Sequence, residues 1–457
     1  MRYLAEMTQL HALKSAGLFE VNAPRYTSYP TATQFASNIG AQDYARWLAG
    51  LPQADPVSLY IHIPFCERLC WYCACRTQGV RSLGPVRAYV DVLLQEIALL
   101  RRYLPEGLRA NRLHFGGGSP TILPPDEIGR LVDALTTLVP LNDGAEFSVE
   151  IDPSAIDTAR MDAFVAAGMN RASIGVQDFA PQVQQAIGRL QSFEITQKTI
   201  SALRERGVNS INIDLVYGLP YQDWAALGAT LDQTLTLAPD RLALFGYAHV
   251  PWMAKRQKMI PEAALPGAHE RFELAQNAAA MLVASGLNAI GIDHFATPSD
   301  ALSRAQANGR LRRNFQGYTD DSAASLVGIG ASSISQLPGG YVQNAPVTAQ
   351  YNAAIAGGNL AAARGVALGL DDQVRALAIE MLMCDFKLEL SRLEARFGAF
   401  MLPLLKNAQA AARRFNTFCT FDGQTLIILP EGRPLTRMIA QMFDAYAVDQ
   451  SRHSSAI

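Results

Sequence analysis

The chain has 457 residues, of which 49% are apolar and 18% charged, and its formal net charge is −2. This composition excludes a disordered or fibrous protein, is ample for a large buried core, and gives no overall attraction for nucleic acid. No apolar run approaches the ~20 residues that span a bilayer. The N-terminus also lacks a signal-peptide core, so a cytoplasmic protein is expected.

Residues 1–45 read as an N-terminal arm, with a short amphipathic helix followed by the aperiodic PRYTSYPTA (24–32). Within it Arg25, Tyr26 and Tyr29 are candidates to face a site. From Val57 the chain repeats strand, loop and helix. VSLYIHI (57–63), RLHF (112–115), EFSVEI (146–151), NRASIGV (170–176), SINIDLVYG (210–218), RLALFGYA (241–248) and LNAIGI (287–292) are the expected strands. Helical patterns occupy about 85–103, 157–167, 193–206, 223–237 and 268–285, and another begins at Pro125 and Asp126. Such alternation predicts parallel strands with right-handed crossovers, and an open or partial barrel over residues 46–350. From 351 to 457 the chain reads as a mostly helical C-terminal domain with a hairpin at CTFDGQTLIIL, similar to a winged helix. Residues 371–457 carry ten basic and ten acidic side chains, so a lid is expected there and not a DNA-binding tail.

The chemistry is densest in CERLCWYCAC. Cys66, Cys70 and Cys73 stand at C-x3-C-x2-C spacing, with Cys75 two residues on. Structural zinc usually draws two separated cysteine pairs, and no second pair lies nearby. Three close thiolates suit an iron–sulfur cluster better, with zinc or redox thiols as the alternatives. Each expected strand ends in something chemically able: the cysteines, Gly116–Ser119, Glu150, Gln177, Asp214, and Tyr247 to His249. Ligands of parallel β/α folds bind at that edge. Gly116-Gly117-Gly118 allows close backbone approach, Glu150 and Asp214 suit ribose hydroxyls, and GIGASSIS (328–335) suits an adenine edge near Ile334. His62, His114, His249 and His294 show no metal-ligand spacing and read as local hydrogen-bonding residues, and Cys384 and Cys419 as buried thiols.

C-x3-C-x2-C with an aromatic before its third cysteine resembles the radical S-adenosylmethionine superfamily. A closer resemblance rests on PRYTSYPTA, SLYIHIPFC (58–66), CAC (73–75), GGGSPT (116–121), GVQDF (175–179), NIDLVYGLP (212–220), GYAH (246–249), DHFA (293–296) and NFQGYT (314–319). Together they are similar to the oxygen-independent coproporphyrinogen III oxidases (dehydrogenases) of haem biosynthesis, from about Pro24 to the C-terminal helix. Ala74 stands where that family usually has glycine, and Gly118-Ser119 follow the first two glycines in place of its relatives' Glu and Thr.

The resemblance implies an α/β fold, a partial (β/α) barrel of the radical S-adenosylmethionine type. It implies a 4Fe–4S cluster on Cys66, Cys70 and Cys73 and two molecules of S-adenosylmethionine. The first would be lined by Tyr60, Gly117, Glu150 and Ile334, and the second by Tyr72, Gly118, Ser119, Gln177, Arg189, Asp214 and Ala248. Cys75 would be an auxiliary catalytic residue that does not bind iron. Arg25 and Arg313 are candidates for substrate carboxylates. The implied activity is decarboxylation of two propionates of coproporphyrinogen III to vinyl groups through a 5′-deoxyadenosyl radical, giving protoporphyrinogen IX. A flavodoxin- or ferredoxin-type electron donor and a monomeric state accompany that expectation. A haem chaperone on the same scaffold is the alternative, although such relatives typically lack Cys75 and the PRYTSYP arm.

Overall fold

A computed structural model describes residues 2–447, with side chains from residue 9 onward, so the last ten residues of the expected C-terminal domain lie outside it. The chain forms two compact units: residues 35–265 with 321–367, and residues 1–34 with 266–320 and 368–457.

In the first unit ten strands form one continuous sheet. Its order is Ala362–Ala367, Gly340–Asn344, Ile334–Leu337, Ser325–Ile329, Val57–Ile63, Ala110–Gly117, Leu141–Ile151, Arg171–Gln177, Ser210–Tyr217 and Arg241–Gly246. From Ser325–Ile329 to Arg241–Gly246 every neighbouring pair is parallel. The parallel array is the partial barrel expected from the alternating pattern. Helices Gly84–Leu100, Pro125–Leu138, Thr158–Ala166, Phe193–Glu205 and Trp224–Thr236 return the chain between strands. Phe115 meets Phe164 of the third of these helices edge-on, with ring centroids 6.0 Å apart, and Phe147 lies tilted 5.5 Å from Phe115. Since side chains two apart on a strand share a face, the alternate set, Tyr60, His114, Ser148, Glu150, Ser173, Asn212 and Asp214, points away from the helices. At the base of that inner face Glu146 is paired with Arg171 (2.7 Å) and Arg112, and Asp321 takes the Ser58 hydroxyl, closing the bottom with satisfied charge.

The three antiparallel strands from Ile334 to Ala367 were not anticipated from the pattern. They are short and rich in Gly, Ser and Ala, so they show neither long apolar runs nor clean alternation.

The second unit is mostly helical. Helices Arg2–Ser15, Ala268–Ala284, Leu370–Asp385, Leu390–Phe397 and Leu402–Arg414 dominate it. Leu13, Leu18, Leu382, Leu393, Phe415 and Phe443 lie in one buried cluster there. The hairpin Cys419–Phe421 with Thr425–Ile428 forms as expected and gains a third strand, Lys387–Glu389. The stretch 287–292 differs from expectation: only Asn288–Ile290 is extended, and it pairs antiparallel with His294–Ala296. The positive φ of Gly291 (+56°) turns the chain between them.

Candidate functional site

The C-terminal ends of the parallel strands carry a connected set of polar side chains. His114 stacks on Tyr60 with ring centroids 5.7 Å apart and an interplanar angle of 15°. One His114 ring nitrogen meets Ser148 Oγ at 2.5 Å and the other Glu150 Oε1 at 3.4 Å. The second Glu150 oxygen accepts the Gly117 backbone N–H at 3.0 Å. Burial pushes the Glu150 carboxyl up, but His114 and the Gly117 N–H outweigh it, so the group sits below the usual range and stays ionised. Two strands further on, the Ser173 hydroxyl and the Asn212 amide donate to Asp214 at 2.9 and 2.8 Å. Two anchored carboxylates on the same inner face, with one strand between them, suit the hydroxyls of a ribose.

The glycine run is dictated by space. Gly117 has φ +116°, and a Cβ there would lie 2.7 Å from the His62 ring. A Cβ on Gly118 would lie 2.6 Å from Phe65 O and 3.0 Å from Cys66 Sγ. Backbone thus lies directly against the first cysteine, where only glycine fits.

The cysteine loop itself has almost no regular structure, a two-residue bridge between Phe65–Cys66 and Gln78–Gly79 being its only ladder. Its course is set from outside. Trp71 N–H donates to Ile187 O at 2.9 Å, and Arg68 donates to Leu190 O at 2.6 Å. Buried Gln257 donates to Tyr72 O (2.7 Å) and Ala248 O (3.1 Å) while its Oε1 accepts Val250 N–H (2.6 Å). Arg256 reaches Cys75 O at 3.2 Å and Thr77 Oγ1 at 2.8 Å. Arg189, also buried, points Nη1 at Cys70 Sγ (3.6 Å) and Asp152 (3.3 Å) and Nη2 at Gly175 O (2.7 Å).

None of the six cysteines is in a disulfide; Cys66 and Cys73 are partly accessible, Cys70 buried and Cys75 exposed. A hydrogen bond from the Cys75 thiol, with the Cys75 backbone N–H and the charges of Arg256 and Arg189, pulls Cys73 down to about 6. Burial pushes Cys66 up to about 12. Among the described residues no three His, Cys, Asp or Glu side chains are arranged to hold one metal ion. A cubane cluster asks for something else, since each thiolate binds a separate iron. The thiol donor set, the glycine backbone pressed against Cys66, and the buried Nε–H groups of Arg68 and Arg189, which have no hydrogen-bond partner among the described residues, fit an anionic cluster and its ligand.

Every residue expected to line the cofactors lies in the first unit. Tyr72 and Ala248 share the Gln257 clamp. Ser119 is buried, its hydroxyl 2.9 Å from Thr121 Oγ1. Gln177 ends its strand at φ +73°, a conformation rare for a side-chain-bearing residue, beside buried Asp178. Ile334 opens its own short strand, its backbone 2.7 Å from where a Cβ on Gly328 would sit. Arg25 and Arg313 belong to the other unit. There the Arg313 side chain is buried, 3.5 Å from Asp293 and 4.4 Å from the Tyr318 ring centre, with Nε and Nη1 lacking hydrogen-bond partners among the described residues. Arg68, Asp152, Arg256 and Gln257 carry no signal in the sequence: Arg68 sits inside the loop at no marked spacing, and the other three act on the loop or on Arg68 from far along the chain.

Residues 60–233 match the radical SAM superfamily. Over 451 residues the chain is 52% identical to an oxygen-independent coproporphyrinogen III oxidase of Cereibacter sphaeroides, covering 98% of this chain and all of the relative. The chain belongs to the oxygen-independent coproporphyrinogen III oxidase family. Its Escherichia coli K12 relative of the same name is 38% identical over 95% of each chain. The solved E. coli coproporphyrinogen III oxidase HemN, described as a radical SAM enzyme, superposes with a TM-score of 0.88 at 36% identity, over 93% of this chain and all of that one. Family membership accounts for the cluster and S-adenosylmethionine expected of the cysteine loop. Among the described residues no helix is long and apolar enough to cross a membrane.

Proposed function

We propose that this chain converts two propionate side chains of coproporphyrinogen III to vinyl groups without oxygen, giving protoporphyrinogen IX. The observation that carries this reading is full-length similarity to named coproporphyrinogen III oxidases together with a complete C-x3-C-x2-C loop at the rim of the parallel strands. In each conversion a β-hydrogen atom leaves the propionate, then carbon dioxide and one electron, and the double bond forms between the two remaining carbons. Cys66, Cys70 and Cys73 would hold the cluster. When bound, the cluster and S-adenosylmethionine supply the one-electron chemistry that removes the hydrogen atom.

The protein's own residues bind and orient. Tyr60, Gly117, Glu150 and Ile334 would take one S-adenosylmethionine, with ionised Glu150 accepting from ribose hydroxyls. Tyr72, Gly118, Ser119, Gln177, Arg189, Asp214 and Ala248 would take a second, the buried Arg189 guanidinium meeting its carboxylate. Arg25 and Arg313 would receive substrate carboxylates; the Arg313 Nε and Nη1 groups, without a hydrogen-bond partner among the described residues, support that role. Cys75, exposed and hydrogen-bonded to Cys73, would serve the reaction without binding iron. The reading places the enzyme in the cytoplasm as a monomer, reduced by a flavodoxin or ferredoxin.

The test is an anaerobic assay of reconstituted protein with coproporphyrinogen III, S-adenosylmethionine and a reductant. Vinyl product and 5′-deoxyadenosine should form together. Cofactor cleavage with no loss of carbon dioxide from the porphyrinogen would refute the substrate assignment.

A further inference from the structure

Helix Gly84–Leu100 turns Val86, Tyr89, Val90, Leu93, Ile97 and Leu100 into the core, and one acid, Glu96, lies on the same stripe with no exposed surface. A carboxylate so placed must be fully hydrogen-bonded, and it is. Glu96 Oε2 accepts the Gly330 N–H at 2.7 Å and the Tyr351 hydroxyl at 2.6 Å, and Oε1 accepts the Asn344 amide at 2.7 Å. Asn344 in turn donates to Gly330 O at 3.1 Å, and its backbone N–H reaches Ser333 O at 2.9 Å.

All of these partners converge on one turn. Gly330 has φ +102°, and a Cβ there would lie 2.7 Å from both His62 O and the Tyr89 hydroxyl. The Tyr89 hydroxyl itself bridges the turn to the strand that delivers the cysteines, donating to His62 O (3.0 Å) and accepting from Ala331 N–H (2.8 Å). Four residues after Gly330 stands Ile334, whose strand is fixed at its far side by Ser335 Oγ, which accepts Gly328 N–H (2.9 Å) and meets the Tyr44 hydroxyl (2.9 Å).

We propose that Glu96 is a positioning residue: its carboxylate, gripping Gly330 directly and through Asn344, fixes the Gly328–Ile334 turn at the height at which its backbone meets the adenine of S-adenosylmethionine. This rests on the reading that Ile334 lines that cofactor. Three donors converging on one buried carboxyl group set the turn tightly, because none of them has water to turn to if that acceptor is lost. Replacing the acid by its amide puts a donor among donors and releases at least one of them.

The experiment compares reconstituted wild type with Glu96→Gln, Tyr351→Phe and Phe164→Leu. Cluster content is measured by iron and visible absorption, S-adenosylmethionine binding by equilibrium dialysis, and KM and kcat for each substrate separately. Glu96→Gln should keep its iron, weaken S-adenosylmethionine about tenfold, and leave the coproporphyrinogen KM within about twofold, a tenfold change being about 1.4 kcal/mol. Tyr351→Phe keeps the carboxylate and should weaken the cofactor about threefold, so the test survives if Glu96→Gln fails to fold. Phe164→Leu loosens the core under the same sheet and should lower melting without moving cofactor affinity. Unchanged cofactor affinity in a folded, iron-replete Glu96→Gln, or an equal effect of Phe164→Leu, would overturn the proposal. Wild type that binds iron but no S-adenosylmethionine would instead sink the reading of the site itself.

Discussion

The cysteine loop and the strand ends that surround it are built in opposite ways. The strand ends are held by their own ladder: Tyr60 stacks on His114, His114 meets Glu150, and Asp214 accepts from Ser173 of the neighbouring strand of the parallel sheet. Residues 67–77 have no such ladder, and their path is imposed by Ile187, Leu190, Arg256 and Gln257. Strands give fixed positions for groups that must grip a ligand, while a loop lets three sulfurs converge from eight residues of chain. The consequence is that the loop's chemistry is local and its shape is borrowed.

Substitutions of the two regions should therefore fail differently. The largest effect is expected for Cys70→Ser, which should abolish both the visible cluster absorption and product. Cys75→Ser is expected to keep the cluster and lose decarboxylation, and loss of iron in that variant would refute the division of roles. Next comes Gly118→Ala, where the added methyl meets Phe65 O and Cys66 Sγ. It should lower both iron content and activity at least tenfold while the far-ultraviolet circular dichroism stays native. Gln257→Leu is milder. It strands Tyr72 O, Ala248 O and Val250 N–H, each worth about 1–3 kcal/mol when buried without a partner. Lower iron occupancy with unchanged coproporphyrinogen KM is the expected readout, and an iron-replete variant of native stability would show that the loop holds its own shape.

The smallest effect is on pH dependence. Burial raises Glu96 to about 7 and Asp178 to about 6, above their ordinary carboxyl values. Between the ordinary value and the raised one the folded protein binds more protons than the unfolded, so their contribution is fully present at low pH and fades as pH rises toward 7. Melting temperature should fall between pH 5 and 7.5, and Glu96→Gln should flatten that slope by removing one of the two groups. A slope identical in the variant would contradict the assignment.

Much of this arrangement is written locally in the chain. Cys66, Cys70 and Cys73 announce themselves because their spacing is short, and Glu150, Gln177 and Asp214 do so because each breaks an apolar strand at its end. The antiparallel strands after Ile334 are not legible in that way, since runs such as ISQL and GYVQN carry no period that separates strand from turn. The helpers are hidden for a different reason. Gln257 lies 185 residues from Tyr72, and Glu96 lies 234 from Gly330, so only the folded chain reveals whom they hold. The turn at Gly291 shows the remaining limit: one glycine in the left-handed region turns what reads as a single strand into an antiparallel pair.

The central claim is that three thiolates of one loop hold a cluster with an iron left open to S-adenosylmethionine. Its most direct test is to reconstitute the protein anaerobically with iron-57 and record the Mössbauer spectrum before and after adding S-adenosylmethionine. The account predicts four irons per chain with one iron site changing on addition, and 5′-deoxyadenosine appearing once a reductant is supplied. A spectrum unmoved by the cofactor, or a protein that retains zinc and no iron, would contradict it.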